Sequence, residues 1–199
     1  MERMEVEDGE LARARAGDEE AFRALVERHS RAVYRLAYRM TGNAHDAEDV
    51  VQDTFLKAFR RLGEFQERSQ LSSWLHRIAA NTAYDVLRAR QRHAEEPLLR
   101  GALGEELDRP LPSPEVSADR LVFGREVEHR VTKALKRLGP QERVTFVLRH
   151  VEGLSLKEIA DAIGSDPNLV KQSVCRAVKK MREALMPFVS GRATAGGVR

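Results

Sequence analysis

One stretch governs what this chain can fold into. Between His93 and Ala118, Pro97, Gly101, Gly104, Pro110, Pro112 and Pro114 follow one another too closely for any regular element to persist. On either side, apolar residues recur at three- and four-residue spacing, and no strand-like alternation competes with them. The sequence therefore predicts an all-α protein of two small helical domains joined by a flexible linker. The expected divisions are an acidic N-terminal extension over 1–18, a first domain over 19–92, a linker over 93–118, a second domain over 119–187 and a flexible tail over 188–199.

Local signals place the helices. Phe22, Leu25, Val26, Val33, Leu36, Ala37 and Met40 form one apolar stripe, which Gly42 can end. Asn43, with Asp46 three residues on, can start a second helix carrying Ala47, Val50, Val51, Thr54, Phe55, Ala58 and Leu62. After a polar loop, Ser72 or Ser73 can cap a third helix running from Trp74 to about Arg90. Beyond the linker, helices are expected over Leu121–Leu138, Gln141–Val151, Leu156–Ile163 and Pro167–Leu185.

Charge follows the same divisions. The extension has net charge −3, the first domain +3, the linker −4, the second domain +5 and the tail +2. Two basic blocks separated by an acidic segment favour polyanionic partners for the blocks alone. No apolar run reaches the roughly 20 residues that span a bilayer, so no membrane insertion is expected. The single Cys175 excludes an internal disulfide framework and points to a reducing, cytoplasmic setting. Glycine-rich phosphate loops, G-x-S-x-G and H-E-x-x-H are absent, and the six histidines show no metal-ligand spacing. The expectation is a protein without enzymatic activity, metal or cofactor.

Three constellations remain. In the first, Ile159, Ala160 and Ile163 face inward, Gly164 turns the chain, Asp166 and Pro167 start the next helix, and Val170 and Val174 return to the core. This is helix-turn-helix spacing, with Asn168, Lys171, Gln172 and Arg176 as candidate base or phosphate contacts and Lys179 and Lys180 as phosphate contacts. A helical hairpin with a solvated basic face fits the same pattern. Ser165 is polar where an apolar residue usually follows the turn glycine.

The second constellation is a stripe of Trp74, Arg77, Asn81, Tyr84, Asp85 and Arg88, about a quarter-turn from the buried stripe of the same helix. Aromatic rings, guanidinium groups and an amide suit unstacked bases and a phosphate backbone; a core role for Trp74 fits as well. Third, Asp46, Glu48, Asp49, Gln52, Asp53 and Lys57 form an acidic face in an otherwise basic block. It would repel DNA and suits a protein partner, although a solvated face is equally compatible with it.

Taken together the halves resemble a known family. LVERHSRAVYRLAYRMTGNAHDAEDVVQDTFLKAFRRLGEF, followed by LSSWLHRIAANTAYDVLRARQR, resembles region 2 of bacterial sigma factors, and LGPQERVTFVLRHVEGLSLKEIADAIG resembles the start of region 4. Both, in that order across a short linker, resemble the extracytoplasmic-function group of the sigma-70 family. The resemblance implies a transcription initiation factor that binds core RNA polymerase, directs it to promoters and helps melt the −10 element. It implies docking of Asp46, Glu48, Asp49, Gln52 and Asp53 on the β′ clamp helices, with the β subunit as a further partner. Phe65, Trp74, Arg77, Asn81, Tyr84 and Arg88 would hold single-stranded −10 DNA, with the Phe65–Ser73 loop capturing a flipped base. The Pro167–Leu185 helix would read duplex DNA at −35, and the acidic linker would thread the polymerase channel. An anti-sigma factor is an expected partner. Where the family usually carries a Thr-Val-Lys-Ser-Arg-like run, this chain has Leu169-Val170-Lys171-Gln172-Ser173. An autonomous helix-turn-helix regulator and an inactive helical regulator of a related sigma factor are the competing readings.

Overall fold

The structure, a computed structural model, describes residues 2–65, 70–95, 127 and 129–193. Among these, every regular element is helical. The chain divides into two compact units, Met1–Val86 and Leu87–Arg199. Of the expected linker, residues 96–118 lie outside the described residues, as does 194–199 of the expected tail.

The first unit begins with α1 (Glu2–Arg15), α2 (Glu19–Thr41) and α3 (Ala44–Arg61), then a single 3-10 turn over Leu62–Glu64, and α4 (Leu71–Glu95) runs on across the division. The expected acidic extension is thus a helix, α1, which packs on α2. Its charge hides it from a periodicity search: Leu11 and Ala14 are its buried apolar contacts among residues 7–15. The chain then reverses at Gly17, whose φ of 95° suits glycine. Asp18 caps α2 by accepting from the amides of Glu20 and Ala21, both at 3.0 Å.

The next junction follows the expected chemistry. Gly42 ends α2 at φ 68°, its N–H bonded to the Tyr38 carbonyl, and Asn43 caps α3 by accepting from the Asp46 amide at 3.0 Å. The core between α2 and α3 holds Val33, Leu36, Met40, Ala47, Val50 and Thr54. By contrast, α4 starts at Leu71, so Ser72 and Ser73 lie in its first turn and do not cap it. The buried side of α4 is also wider than one stripe: Ala80, Ala83 and Leu87 are buried along with Leu75, Ala79 and Thr82.

The second unit contains α5 over residues 129–136, α6 (Pro140–His150), α7 (Leu156–Ile163) and α8 (Pro167–Ala193). α8 outruns the expected end at Leu185 and accommodates Pro187; proline removes one helical N–H, so the Glu183 carbonyl loses its usual donor. α6 packs on α7 and α8, around Val144, Val147, Leu148, Ile159 and Val170. Two polar elements are built into this core. Thr145 and Ser173 share a hydrogen bond at 3.1 Å with both residues fully buried. Arg143 is also buried, and its Nε donates to the Leu135 carbonyl at 2.7 Å. Burial pushes the Arg143 guanidinium down to about 10, so it stays charged at neutral pH. Arg143→Ala is expected to remove a buried hydrogen bond from a charged group, leaving that carbonyl only the Leu138 N–H at 3.0 Å, and to lower the stability of the second unit by about 1.5–3 kcal/mol. Calorimetry on the full chain would register this as an earlier transition for one unit only.

Candidate functional site

Three surfaces emerge from this framework. On α3, the residues facing away from the Val50–Thr54 core are Glu48, Asp49, Gln52 and Asp53, all exposed, with Asp46 half-buried at the helix start. Asp49 pairs with His45 one turn back at 3.3 Å, an exposed pair. The same stripe continues toward the C-terminus as Leu56 and Phe59, which remain 48% and 49% exposed. Phe59 meets Phe22 of α2 edge-on, with centroids 5.0 Å apart. The face is therefore acidic at one end and apolar toward the other, where the exposed Arg60 closes it. Lys57 does not join it: its Nζ donates to Thr82 on α4 at 2.9 Å.

The second surface is α4. Arg77, Asn81, Asp85 and Arg88 are exposed along one line of the helix, with Trp74 and Tyr84 half-buried at its edge. All six share that line because positions three and four apart stack on one face. Phe65 is positioned differently from the sequence reading. Its ring is 5% exposed and packs against Trp74 with centroids 5.1 Å apart. Arg15 of α1 holds this corner: its guanidinium lies 5.5 Å from the Phe65 ring centroid and donates to the carbonyls of Leu62 and Phe65. Phe65 thus braces the start of the loop, and its ring offers no open face to a base in this packing. Residues 66–69 of the expected base-capturing loop lie outside the described residues.

In the second unit, the α7–turn–α8 geometry follows the Gly164 and Asp166 signals, while Val174, expected in the core, is half-buried and Ser173 is buried instead. Ser155 caps α7 through the Glu158 amide, while the Glu158 carboxylate accepts from Ser155 N–H at 2.8 Å. Gly164 turns at φ 61°. The Asp166 carboxylate accepts from the Asn168 and Leu169 amides at 2.8 and 3.4 Å. Ser165 is half-buried, and Gln141 donates to its hydroxyl at 3.4 Å, which gives the polar residue at the turn a partner. Val170, Ser173, Ala177 and Met181 form the buried side of α8. Asn168, Lys171, Gln172, Arg176, Lys179 and Lys180 are all exposed.

Those six do not stand alike. Asn168, Gln172 and Lys179 follow a single outward line, and the exposed Cys175 sits within it. Arg176 and Lys180 lie on the flank nearer α6, where both meet Glu142. Lys180 Nζ is 2.7 Å from Glu142 Oε2, and Arg176 Nε is 3.6 Å from Oε1. Sequence reasoning missed Leu56, Phe59 and Glu142 as parts of these faces. For Leu56 and Phe59 a signal existed, since they share the helical period of Asp49 and Gln52. For Glu142 none did, because its partners lie 34 and 38 positions away.

Among the described residues no helix is long and apolar enough to cross a membrane, and no group of three His, Cys, Asp or Glu could hold a metal ion. Comparison with known proteins assigns both halves. Residues 25–93 match the family description Sigma-70 region 2, and residues 128–181 match Sigma-70, region 4. The ECF RNA polymerase sigma factor SigE of Mycolicibacterium smegmatis is 36% identical over 161 residues, 81% of this chain and 60% of that protein. The RNA polymerase sigma-H factor of Pseudomonas aeruginosa is 33% identical over 181 residues, 90% of this chain and 93% of the relative. Two solved structures share the fold at 27% identity. RpoE of Bartonella quintana, in complex with the anti-sigma factor NepR, has a TM-score of 0.60 over 83% of this chain and 96% of its own. CnrH, in complex with the cytosolic domain of CnrY, has a TM-score of 0.56 over 92% of this chain and 98% of its own.

Proposed function

Because the chain belongs to the extracytoplasmic-function group of the sigma-70 family, non-catalytic factors for promoter-specific initiation, we propose a division of labour among its three surfaces. The α3 face docks on the β′ clamp helices of core RNA polymerase. The Arg77–Asn81–Arg88 line of α4 receives the separated −10 strand. The exposed side of α8 enters the major groove at −35, where Asn168 and Gln172 of the outward line and Arg176 of its flank read base edges and Lys171 and Lys179 meet phosphates. The β subunit is a further contact, the linker over 93–118 runs through the polymerase channel, and the divisions 19–92 and 119–187 act as the two promoter-binding domains. An anti-sigma factor is the proposed inhibitor, supported by the NepR complex of the Bartonella quintana relative. The setting is the cytoplasm.

The observation that carries this reading is the difference in charge between the exposed faces of α3 and α4. Acids and exposed apolar side chains dominate the outward face of α3, which ends in Arg60, while Arg77, Asn81 and Arg88 on α4 accompany a single exposed acid, Asp85. One helix suits a protein partner and the other suits nucleic acid, which an autonomous DNA-binding regulator does not require. Fluorescence anisotropy on a promoter duplex tests it. The free chain is expected to bind weakly, with little sequence preference and a steep salt dependence, because phosphate attraction alone acts. Addition of core polymerase is expected to create strong preference for one sequence. Equal preference with and without polymerase would favour the autonomous regulator.

A further inference from the structure

Glu142 stands at the start of α6, yet it touches the recognition helix. The residue is 9% exposed, and its Oε2 accepts from the Gly139 N–H at 3.1 Å and from Lys180 at 2.7 Å. Its Oε1 lies 3.6 Å from Arg176 Nε. Arg176 and Lys180 are four residues apart on α8, so one carboxylate gathers two cations from successive turns. The Thr145–Ser173 hydrogen bond fixes the same α6–α8 seam one turn earlier.

This arrangement separates two properties of a DNA-binding helix. Long cationic side chains left free follow phosphates on any sequence, and each adds to salt-dependent, sequence-independent affinity. A cation already held by a carboxylate adds less of that attraction. Its guanidinium or ammonium group is also confined before DNA arrives, which favours one geometry at the base edge over many. Both effects raise the ratio of specific to non-specific binding.

We infer that Glu142 is a specificity-determining positioning residue: it holds Arg176 at the −35 base edges, with Lys180 as a buttress in place of the free phosphate contact expected from sequence. The inference rests on the −35 role proposed for α8. Glu142→Gln retains an oxygen for the Gly139 N–H and removes the charge that gathers the two cations. Holoenzyme reconstituted with the E142Q chain should select a broader −35 consensus from a randomised duplex library, with discrimination at one position reduced about fivefold or more. The free E142Q chain should bind random duplex more tightly, with a salt slope steeper by about 1. Thermal melting accompanies both measurements. If E142Q melts well below wild type, Lys180→Met, at a half-exposed position, keeps the test open. Removing a buttress should broaden the −35 selection, whereas removing an ordinary phosphate anchor would weaken every sequence equally. Gln172→Ala serves as the control for the −35 role itself. If Gln172→Ala alters the selection while E142Q, or K180M in its place, leaves the consensus unchanged, the positioning role is overturned and the −35 role stands. If none of the three alters the selection, the −35 role of α8 fails, and the inference with it.

Discussion

Replacing Asp49 and Asp53 together by lysine is expected to reduce binding to core RNA polymerase at least a hundredfold while leaving the helical fold intact. Both side chains are exposed on α3, one turn apart and on the same face as Gln52 and Leu56. The double reversal moves four charge units on one patch. A patch that meets a basic partner then meets it with like charge, at a cost of several kcal/mol. Folding has little reason to change. The cap of α3 is made by Asn43 and the Asp46 amide, away from both sites. The contact that disappears, Asp49 with His45, is exposed on both sides and of the kind that contributes little. Surface plasmon resonance with immobilised core enzyme, together with circular dichroism, separates the outcomes. Normal assembly of a folded double mutant would remove α3 as the docking face. The apolar end supplies an independent check, because Leu56 and Phe59 add area to the same face without adding charge.

The second large effect is expected at Asn81. Asn81→Ala should leave helix content and polymerase binding unchanged and reduce open-complex formation by about ten- to a hundredfold. Extruding a base from the duplex costs a few kcal/mol, which contacts in the open state must offset. Stacking on an aromatic contributes about 1–3 kcal/mol per base. Hydrogen bonds to a base edge supply a comparable increment, and an amide presents donor and acceptor together. Asn81 is exposed at the centre of the α4 line, between Arg77 and Arg88. With Phe65 buried beneath Trp74, half-buried Trp74 and Tyr84 are the aromatic edges left beside it. Permanganate footprinting reads the effect directly: thymines of the melted region should lose reactivity. A premelted bubble template should restore part of the activity, because it removes the cost of opening. Wild-type opening of a closed duplex by the mutant would reduce the stripe to a helix surface.

What sequence reasoning reached, and what it missed, divides along the range of the interactions. The α7–α8 turn was legible because its determinants are local: Gly164 supplies a positive φ and Asp166 caps within three residues, whereas the equally local Ser155–Glu158 box at the start of α7 was overlooked. The Gly42–Asn43 junction was legible for the same reason. The role of Glu142 was not, because it depends on which turn of α8 lies beside the N-terminus of α6. α1 was missed because its sequence is dominated by charge, although Arg15 ties it to carbonyls 47 and 50 residues away. Trp74 and Phe65 show how an aromatic pair misleads. Each suits a stacking platform when taken alone, and they pack on one another in the fold. Along α4 the polar line was assigned correctly as a surface, because helical period alone determines which residues share it.

Run-off transcription tests the central claim most directly. Core polymerase, a template carrying the sequence selected by the holoenzyme, and the full chain are combined, with matched reactions omitting the chain or replacing it by the Asp49→Lys, Asp53→Lys variant. A discrete transcript from a fixed start site is predicted only with the wild-type chain. A chain that binds the template but yields no polymerase-dependent transcript on any selected sequence would contradict the account.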